Sequence, residues 1–363
     1  MKGKKQAQSR FDFSAEEATD RLFVAGLLQW NDEDNDRQMP WKGEKDPYRI
    51  WLSEVILQQT RVEQGLKYYE NFISTFPDVT SLAAAPDEKV MKLWEGLGYY
   101  SRCRNLLASA RHIAGNLHGR FPRTYEEILA LKGVGAYTAA AIASFAYNLP
   151  HAVLDGNVFR VLSRIFDRDV PIDTTEGKKY FAGLAQQLLP QDRPGDYNQA
   201  IMDFGATICK PSPACGQCFF RDHCRAFAHG RQELLPVKEK KTSVRERWFH
   251  YFLVRRGDDI AIRQRTASDI WQQLFEFPLI ETAGSETPGR LLADFRQQYG
   301  STARMEGEPA QQDQRLSHQL IHFNFYTMHG GSAEPPTGCT WVKRADLDRY
   351  AFPRTLLQFL ADM

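Results

Sequence analysis

The sequence predicts a multi-domain protein: an all-α domain over roughly the first two-thirds and a separate α+β domain behind it. Three observations lead there. Helical apolar spacing recurs up to about residue 230 with no strand alternation. The stretch RQELLPVKEKKTSVRER, residues 231–247, is charged and polar and carries a proline, as a linker does. Beyond it the pattern turns to short alternating runs rich in aromatic and β-branched residues. The expected division is 10–230, 231–247 and 248–363.

The bulk numbers agree. The chain has 363 residues, 42% of them apolar and 25% charged, which is ordinary for globular protein. The opening MKGKKQAQSRFDFSAEE has basic residues but no apolar run behind them, so it does not read as a secretory signal. No segment is long and apolar enough to span a membrane, and the expected setting is intracellular. The net charge of +1 supplies no global attraction to nucleic acid, so any such function must rest on a local patch.

The elements follow in order. Ser14 and Glu17 form a capping box, so a helix starts there and runs toward Trp30. NDEDNDRQMPW is a polar loop. Asp46-Pro47 reads as an N-cap with proline at the first helical position, and one long helix is expected through YRIWLSEVILQQTRVEQGLKYYENFI. Further helices are expected over 87–94, 101–116, 124–131, 137–147, 158–166 and 175–189. In the tail, WFHYFLVRR, DIAIRQR, HQLIHFNFYTMH and CTWVKR read as strands, with GRLLADFRQQYG as a helix among them.

Four of the six cysteines crowd into one loop, Cys209, Cys215, Cys218 and Cys224, spaced C-x5-C-x2-C-x5-C. In a reducing compartment such a cluster reads as a metal site before a disulfide framework. Zinc sites usually supply two close pairs on a longer arm, whereas here one close pair has a flank on each side. Four thiolates from one loop favour a 4Fe–4S cluster, with zinc the alternative. Its bland role is a structural staple, which presents Arg221, His223 and Arg225 to a phosphate backbone. Cys103 and Cys339 stand alone and read as small buried hydrophobes.

Lys132-Gly133-Val134-Gly135 lies between two helical patterns. The glycines permit a tight turn and leave backbone N–H groups bare beside a helix N-terminus, which suits an anion such as a DNA phosphate. An ordinary interhelical turn has the same composition. Two carboxylates also stand out. Asp155 precedes a helix, where an Asp is usually only an N-cap, yet the helix end also keeps it ionised. Glu54 has Leu52, Val55, Ile56 and Leu57 around it; if that helix is buried, its pKa rises, and otherwise it is one more solvated glutamate. One protonated and one charged acid is the division of labour that breaks glycosidic bonds.

Taken together, LSEVILQQTRV, WEGLGYYSRCRNL, LKGVGAYTAAAI, AVLDGNVFRVLSR and the four-cysteine loop, in that order, resemble the helix-hairpin-helix DNA glycosylase superfamily. Within it the chain is similar to the MutY-type adenine DNA glycosylases, over most of residues 14–363. The resemblance implies two helical subdomains with a DNA cleft between them, one carrying the hairpin and the other the cluster. It implies removal of adenine mispaired with 8-oxoguanine or guanine from double-stranded DNA by a protein acting as a monomer. Glu54 would protonate adenine N7, Asp155 would stabilise the oxocarbenium-like sugar, and Tyr137 and Asn157 would assist. Arg37, Trp41, Leu57 and Gln199 would line the adenine pocket; Gln59, Leu97 and Tyr99 would wedge into the stack around the opposite base. Tyr99 and Tyr100 are also open to plain core packing. Tyr137 occupies the place of the lysine that forms a Schiff base in strand-cleaving relatives, so base removal without efficient strand cleavage is expected. Lys132 leaves room for weak nicking.

The tail, with LFEFPLIET, RLSHQLIHFNFY and YAFPRTLLQFL, resembles the Nudix-like C-terminal domain of the same family. Its helix GRLLADFRQQYG lacks the glutamates that hold magnesium in a Nudix hydrolase, so the domain is expected to bind and not to hydrolyse. Ser317 and His318, after Leu316, would inspect 8-oxoguanine; a polar turn is the alternative. There are departures from the pattern. The first cysteine gap is one residue short, Lys42 stands where arginine is common, and Leu316 where phenylalanine is. Two other functions remain open at this point: an oxidised-pyrimidine glycosylase/lyase, disfavoured by Tyr137, and a non-catalytic iron–sulfur DNA-binding regulator, which has no need of Glu54 or Asp155.

Overall fold

The structure, a computed structural model, describes residues 13–239 and 243–362. The side chains of the Ser14–Glu17 capping box, and Lys240 and Lys241 of the linker, lie outside the described residues. The chain gathers into two compact units, each built from two stretches: Met1–Val55 with Arg120–Lys240, and Ile56–Gly119 with Lys241–Met363.

The first unit is helical. Its elements are Phe13–Glu33, most of Pro47–Leu57, Tyr125–Leu129, Ala136–Tyr147, Gly156–Ile165, Thr175–Leu188, Pro194–Thr207 and Arg225–Ala228. Asp46 caps the second by accepting from the Tyr48 N–H at 2.9 Å, with Pro47 behind it, as expected. Thr124 and Glu127 cap the third reciprocally. The core is built on Phe23, Leu27, Val161, Leu162, Phe181 and Phe204, and Phe220 of the cysteine loop packs into it. The hairpin and the cysteine loop therefore share one unit, where the resemblance implied separate subdomains. The cysteine loop is held to this unit by the apolar seal that Phe220 makes with Phe23 and Phe204.

The helix Pro194–Thr207 was not among those expected. Its Pro194, Gly195 and Gly205 read as breakers. Pro194 is in fact at the first turn, and Gly205 answers a packing need: a Cβ there would meet Asn157 Cβ at 2.7 Å.

The second unit opens with Val62–Thr75, Val79–Ala83, Asp87–Leu93 and Ser101–Asn116. The single long helix expected after Asp46 is two helices, Pro47–Leu57 and Val62–Thr75. The break has a physical cause. Arg102 draws the carbonyls of Ile56 and Gln58 onto its guanidinium at 2.9 and 2.7 Å, and Gln59 turns into the left-handed region at φ 57°. Those carbonyls are then lost to the helical ladder.

The rest of this unit is an eight-stranded sheet: β1 Arg245–Arg256, β2 Asp259–Gln264, β3 Phe275–Glu276, β4 Leu279–Thr282, β5 Arg304–Met305, β6 Ala310–Arg315, β7 Gln319–His329 and β8 Thr340–Lys343. The main path runs β3-β2-β1-β7-β5, with β4 on β1, β6 on β7 and β8 on β2. β1 and β7 are parallel along their length, from Arg245↔Gln319 to Arg255↔His329. Alternation along β1 feeds two cores. Phe249, Tyr251 and Leu253 face one, closed by helix Arg354–Ala361 through Leu356 and Phe359; Phe252 and Val254 face the other, under helix Pro288–Tyr299 through Leu291 and Phe295. The edge strand β6, AQQDQR, is almost wholly exposed, so no apolar alternation marks it in the sequence.

Candidate active site

Three predicted residues meet in the first unit. Glu54 sits on the buried helix Pro47–Leu57 between fully buried neighbours. Burial pushes its carboxyl up from 4.5 to about 7; the hydrogen bond with Tyr137 pulls it down, and the nearby Asp155 charge adds to the rise. The Tyr137 hydroxyl stays protonated, since burial and then the Glu54 and Asp155 charges raise it far above its ordinary value. The same hydroxyl lies 3.4 Å from Met202 Sδ. A phenol has one proton. It goes to Glu54 when the carboxylate is charged, and can turn to the thioether when Glu54 itself donates.

Asp155 caps helix Gly156–Ile165. Its Oδ1 accepts from the Val158 N–H at 2.8 Å and its Oδ2 from Asn157 Nδ2 at 2.8 Å. Burial raises its carboxyl above the ordinary value, and these donors, with the Arg160 charge, oppose that rise. The capping role expected of Asp155 is present, and burial beside Glu54 is added to it. Asn157 Oδ1 in turn accepts from Arg160 Nη2 at 2.8 Å, while Arg160 Nε donates to the Cys209 carbonyl at 2.8 Å. Arg160 thus ties the cysteine loop to the residue that orients Asp155. Sequence reasoning passed over it; its place one helical turn from Asn157 was the available signal.

Arg37 and Gln199 also come together, on a residue that was not predicted. Arg37 Nη1 and Gln199 Nε2 both donate to Asp203 Oδ1, at 2.6 and 3.0 Å. Trp41, in the same loop as Arg37, is buried. At the hairpin, Gly133 takes φ 81° while Gly135 is extended and caps helix Ala136–Tyr147. Only the first glycine uses the left-handed region. Lys132, Gly133 and Gly135 are exposed and Val134 is buried beneath them.

Among the described residues, no three histidine, cysteine or carboxylate side chains converge as single-ion ligands would. Cys209, Cys215, Cys218 and Cys224 instead line one small cavity of about 20 Å³. The buried Arg164 reaches into this region, with Nη1 3.5 Å from Cys209 Sγ and its other donors on the carbonyls of Lys210, Pro211 and Leu235. Four thiols around one cavity beside a fixed cation suit a thiolate-held metal centre. Cys103 is fully buried and Cys339 partly so.

The second unit holds the remaining predicted residues. Gln59 and Tyr99 are exposed, and both adopt positive φ, 57° and 47°. Non-glycine residues in that region are uncommon and concentrate at functional sites. Arg102 braces both: beyond Ile56 and Gln58 it donates to the Gly98 carbonyl at 3.2 Å, and its guanidinium lies over the Tyr99 ring at 5.5 Å. The Tyr99 hydroxyl is 2.6 Å from Ser317 Oγ. Tyr100 is a buried packing residue whose hydroxyl accepts from the Gly96 N–H, so of the tyrosine pair only Tyr99 is presented. Ser317 and His318 are exposed in the β6–β7 turn, Leu57 is half-buried and Leu97 is buried.

The chain is similar to known proteins in both sequence and fold. The sequence pattern of the HhH-GPD superfamily base excision DNA repair proteins matches residues 52–189, and that of the NUDIX domain matches 250–362. An adenine DNA glycosylase of Buchnera aphidicola subsp. Baizongia pistaciae is 34% identical over 262 residues, covering 72% of this chain and 74% of its own. The adenine DNA glycosylase of Homo sapiens is 43% identical over 223 residues, 59% of this chain and 41% of its own. A thermostable thymine-DNA glycosylase superposes with a TM-score of 0.55 at 30% identity, over 59% of this chain and 99% of that one. A trapped endonuclease III–DNA covalent intermediate superposes at 0.50 and 20% identity over 58% and 96%, which shows the shared fold. Among the described residues no helix is long and apolar enough to cross a membrane.

Proposed function

The chain belongs to the adenine DNA glycosylase family, and from that premise we propose that it removes adenine mispaired with 8-oxoguanine or guanine from double-stranded DNA, by hydrolysis of the N-glycosidic bond and without efficient strand cleavage. It is a DNA N-glycosylase of base excision repair. The observation that supports acid-assisted hydrolysis is the buried Glu54 carboxyl, pushed up to about 7 beside Tyr137 and Asp155.

Adenine is a poor leaving group until a ring nitrogen is protonated. Glu54, still protonated near neutral pH, gives its proton to N7 of the flipped base. The C1′–N9 bond then breaks with its electron pair passing to the adenine ring. Asp155, held by Val158 and Asn157, stabilises the positive charge left on the sugar. Water adds at C1′ and loses a proton. Tyr137 orients Glu54, and because it is not an amine it forms no Schiff base, so the strand stays intact.

Arg37, Trp41, Leu57 and Gln199 receive the adenine. Gln59, Leu97 and Tyr99 fill the gap and, with Ser317 and His318, meet the opposite base. The Tyr99–Ser317 contact supports grouping the last two sets. Lys132, Gly133, Val134 and Gly135 hold a backbone phosphate. Cys209, Cys215, Cys218 and Cys224 would hold a 4Fe–4S cluster, which would fix the shape of their loop. The protein acts inside the cell as a monomer. A single-turnover assay tests this on duplexes with adenine opposite 8-oxoguanine, guanine or thymine, read with and without alkali. Base loss from the first two, with breaks chiefly after alkali, is the expected result. No loss despite tight binding would favour the non-catalytic regulator.

A further inference from the structure

We propose that Asp203 sets the base specificity of this site by fixing the amide orientation of Gln199, an inference that rests on the reading of the site as an adenine pocket. The Asp203 side chain has no exposed surface. Its Oδ1 accepts from Arg37 Nη1 at 2.6 Å and Gln199 Nε2 at 3.0 Å; its Oδ2 accepts from Asn35 Nδ2 at 3.0 Å and faces Lys42 Nζ at 3.3 Å. Four donors converge on one buried carboxylate. Asn35 Oδ1 also takes the Arg37 N–H, and Lys42 Nζ takes the Arg37 carbonyl. The loop that carries Arg37 and Trp41 is therefore anchored on this one group.

An ionised carboxylate only accepts, so each neighbour must turn a donor toward it. For Arg37 and Lys42 that is no choice, since their side chains carry nothing else. Gln199 is different. Its amide has a donor end and an acceptor end, and Asp203, one helical turn along Pro194–Thr207, takes the donor end. The carbonyl Oε1 is thereby turned away from the carboxylate. The Thr207 hydroxyl, bonded to the Asp203 carbonyl at 2.8 Å, helps to hold that turn.

The orientation has a consequence for base choice. At position 6 adenine carries an amine, which donates, while guanine and hypoxanthine carry a carbonyl, which accepts. A glutamine held with its carbonyl outward pairs with the amine and opposes the carbonyl. A desolvated mismatch of two acceptors is what rejects the wrong base. Without the carboxylate, the amide is able to rotate and present its NH2 instead. Asp203 is thus a positioning residue that acts through Gln199.

The test is single-turnover base removal by the full chain from 8-oxoguanine duplexes carrying adenine, purine or hypoxanthine opposite the lesion. Purine, with hydrogen at position 6, reports cleavage competence alone. Asp203→Asn and Gln199→Met are each expected to lower the adenine-to-hypoxanthine rate ratio by about tenfold, the worth of one directed hydrogen bond, with the double variant no lower than either. Equal losses on all three bases would make Asp203 a structural brace and overturn the proposal. Should Asp203→Asn fail to fold by thermal unfolding, Gln199→Met decides alone, and an unchanged ratio overturns it. If the wild-type chain removes none of the three bases, the adenine-pocket reading itself fails and this inference with it.

Discussion

Two glutamates in this protein are both buried and have opposite surroundings. Glu276, in β3 of the sheet, has no exposed surface and is met by three donors: Arg263 Nε at 3.0 Å, Arg265 Nη1 at 2.6 Å and the Tyr251 hydroxyl at 3.0 Å. Glu54 is met by a neutral phenol and another acid, and its carboxyl rises to about 7. Burial alone therefore does not decide what a carboxyl is for. A buried carboxylate with cations around it is an anchor. One without them keeps its proton, and a proton held near neutral pH is available for transfer.

The largest test of that contrast is Glu54→Gln. Excision is expected to fall about 10³- to 10⁴-fold with DNA binding retained, measured by single-turnover cleavage beside a gel shift. Unchanged excision would break the comparison and make Glu54 a second Glu276. The converse change, Glu276→Gln, strands two guanidinium groups. It should cost about 3–5 kcal/mol in chemical denaturation, yet leave the excision rate of the folded molecules as it was.

The pH dependence sharpens the same point. The folded-state value of Glu54 lies above its ordinary 4.5, so its contribution to stability is full below that value and is lost as pH rises through about 7. Relative to Glu54→Gln, the wild type should lose on the order of 3 kcal/mol across that window, seen by denaturation at several pH values. Excision should fall about tenfold per pH unit above about 7, and fall again in acid once Asp155 is protonated. A flat profile from neutral to alkaline pH would remove Glu54 as the acid. The smallest effect belongs to Tyr99→Phe. Losing the exposed bond to Ser317 should change stability by less than about 1 kcal/mol, while the preference for 8-oxoguanine over guanine drops severalfold in the same excision assay.

Much of this was legible in the chain. Asp46-Pro47, the Thr124–Glu127 cap and the alternation in β1 and β7 are local signals, and each element formed where its signal lay. The cysteine spacing and the order of the motifs are local too. What was not legible depends on partners far away in sequence. The break after Leu57 is made by Arg102, forty-odd residues on, which takes carbonyls the helix would have used. The helix Pro194–Thr207 was hidden because its glycines look like breakers until Gly205 is seen against Asn157. Asp203 gave no signal, since an aspartate in a helix looks like any solvated acid until four donors are seen to converge on it.

By itself, then, the sequence determined that all-α and α+β parts are present, and which residue types were on hand: an acid at Glu54, a cap at Asp155, a phenol at Tyr137 and four thiols in a loop. Those follow from propensity, periodicity and spacing, which act over a few residues, while the family came from the resemblance of the ordered motifs. Only the tertiary structure decided how each of them is charged, oriented and held. A carboxyl's proton affinity and an amide's direction are set by the groups packed around it, and packing brings those groups from anywhere in the chain.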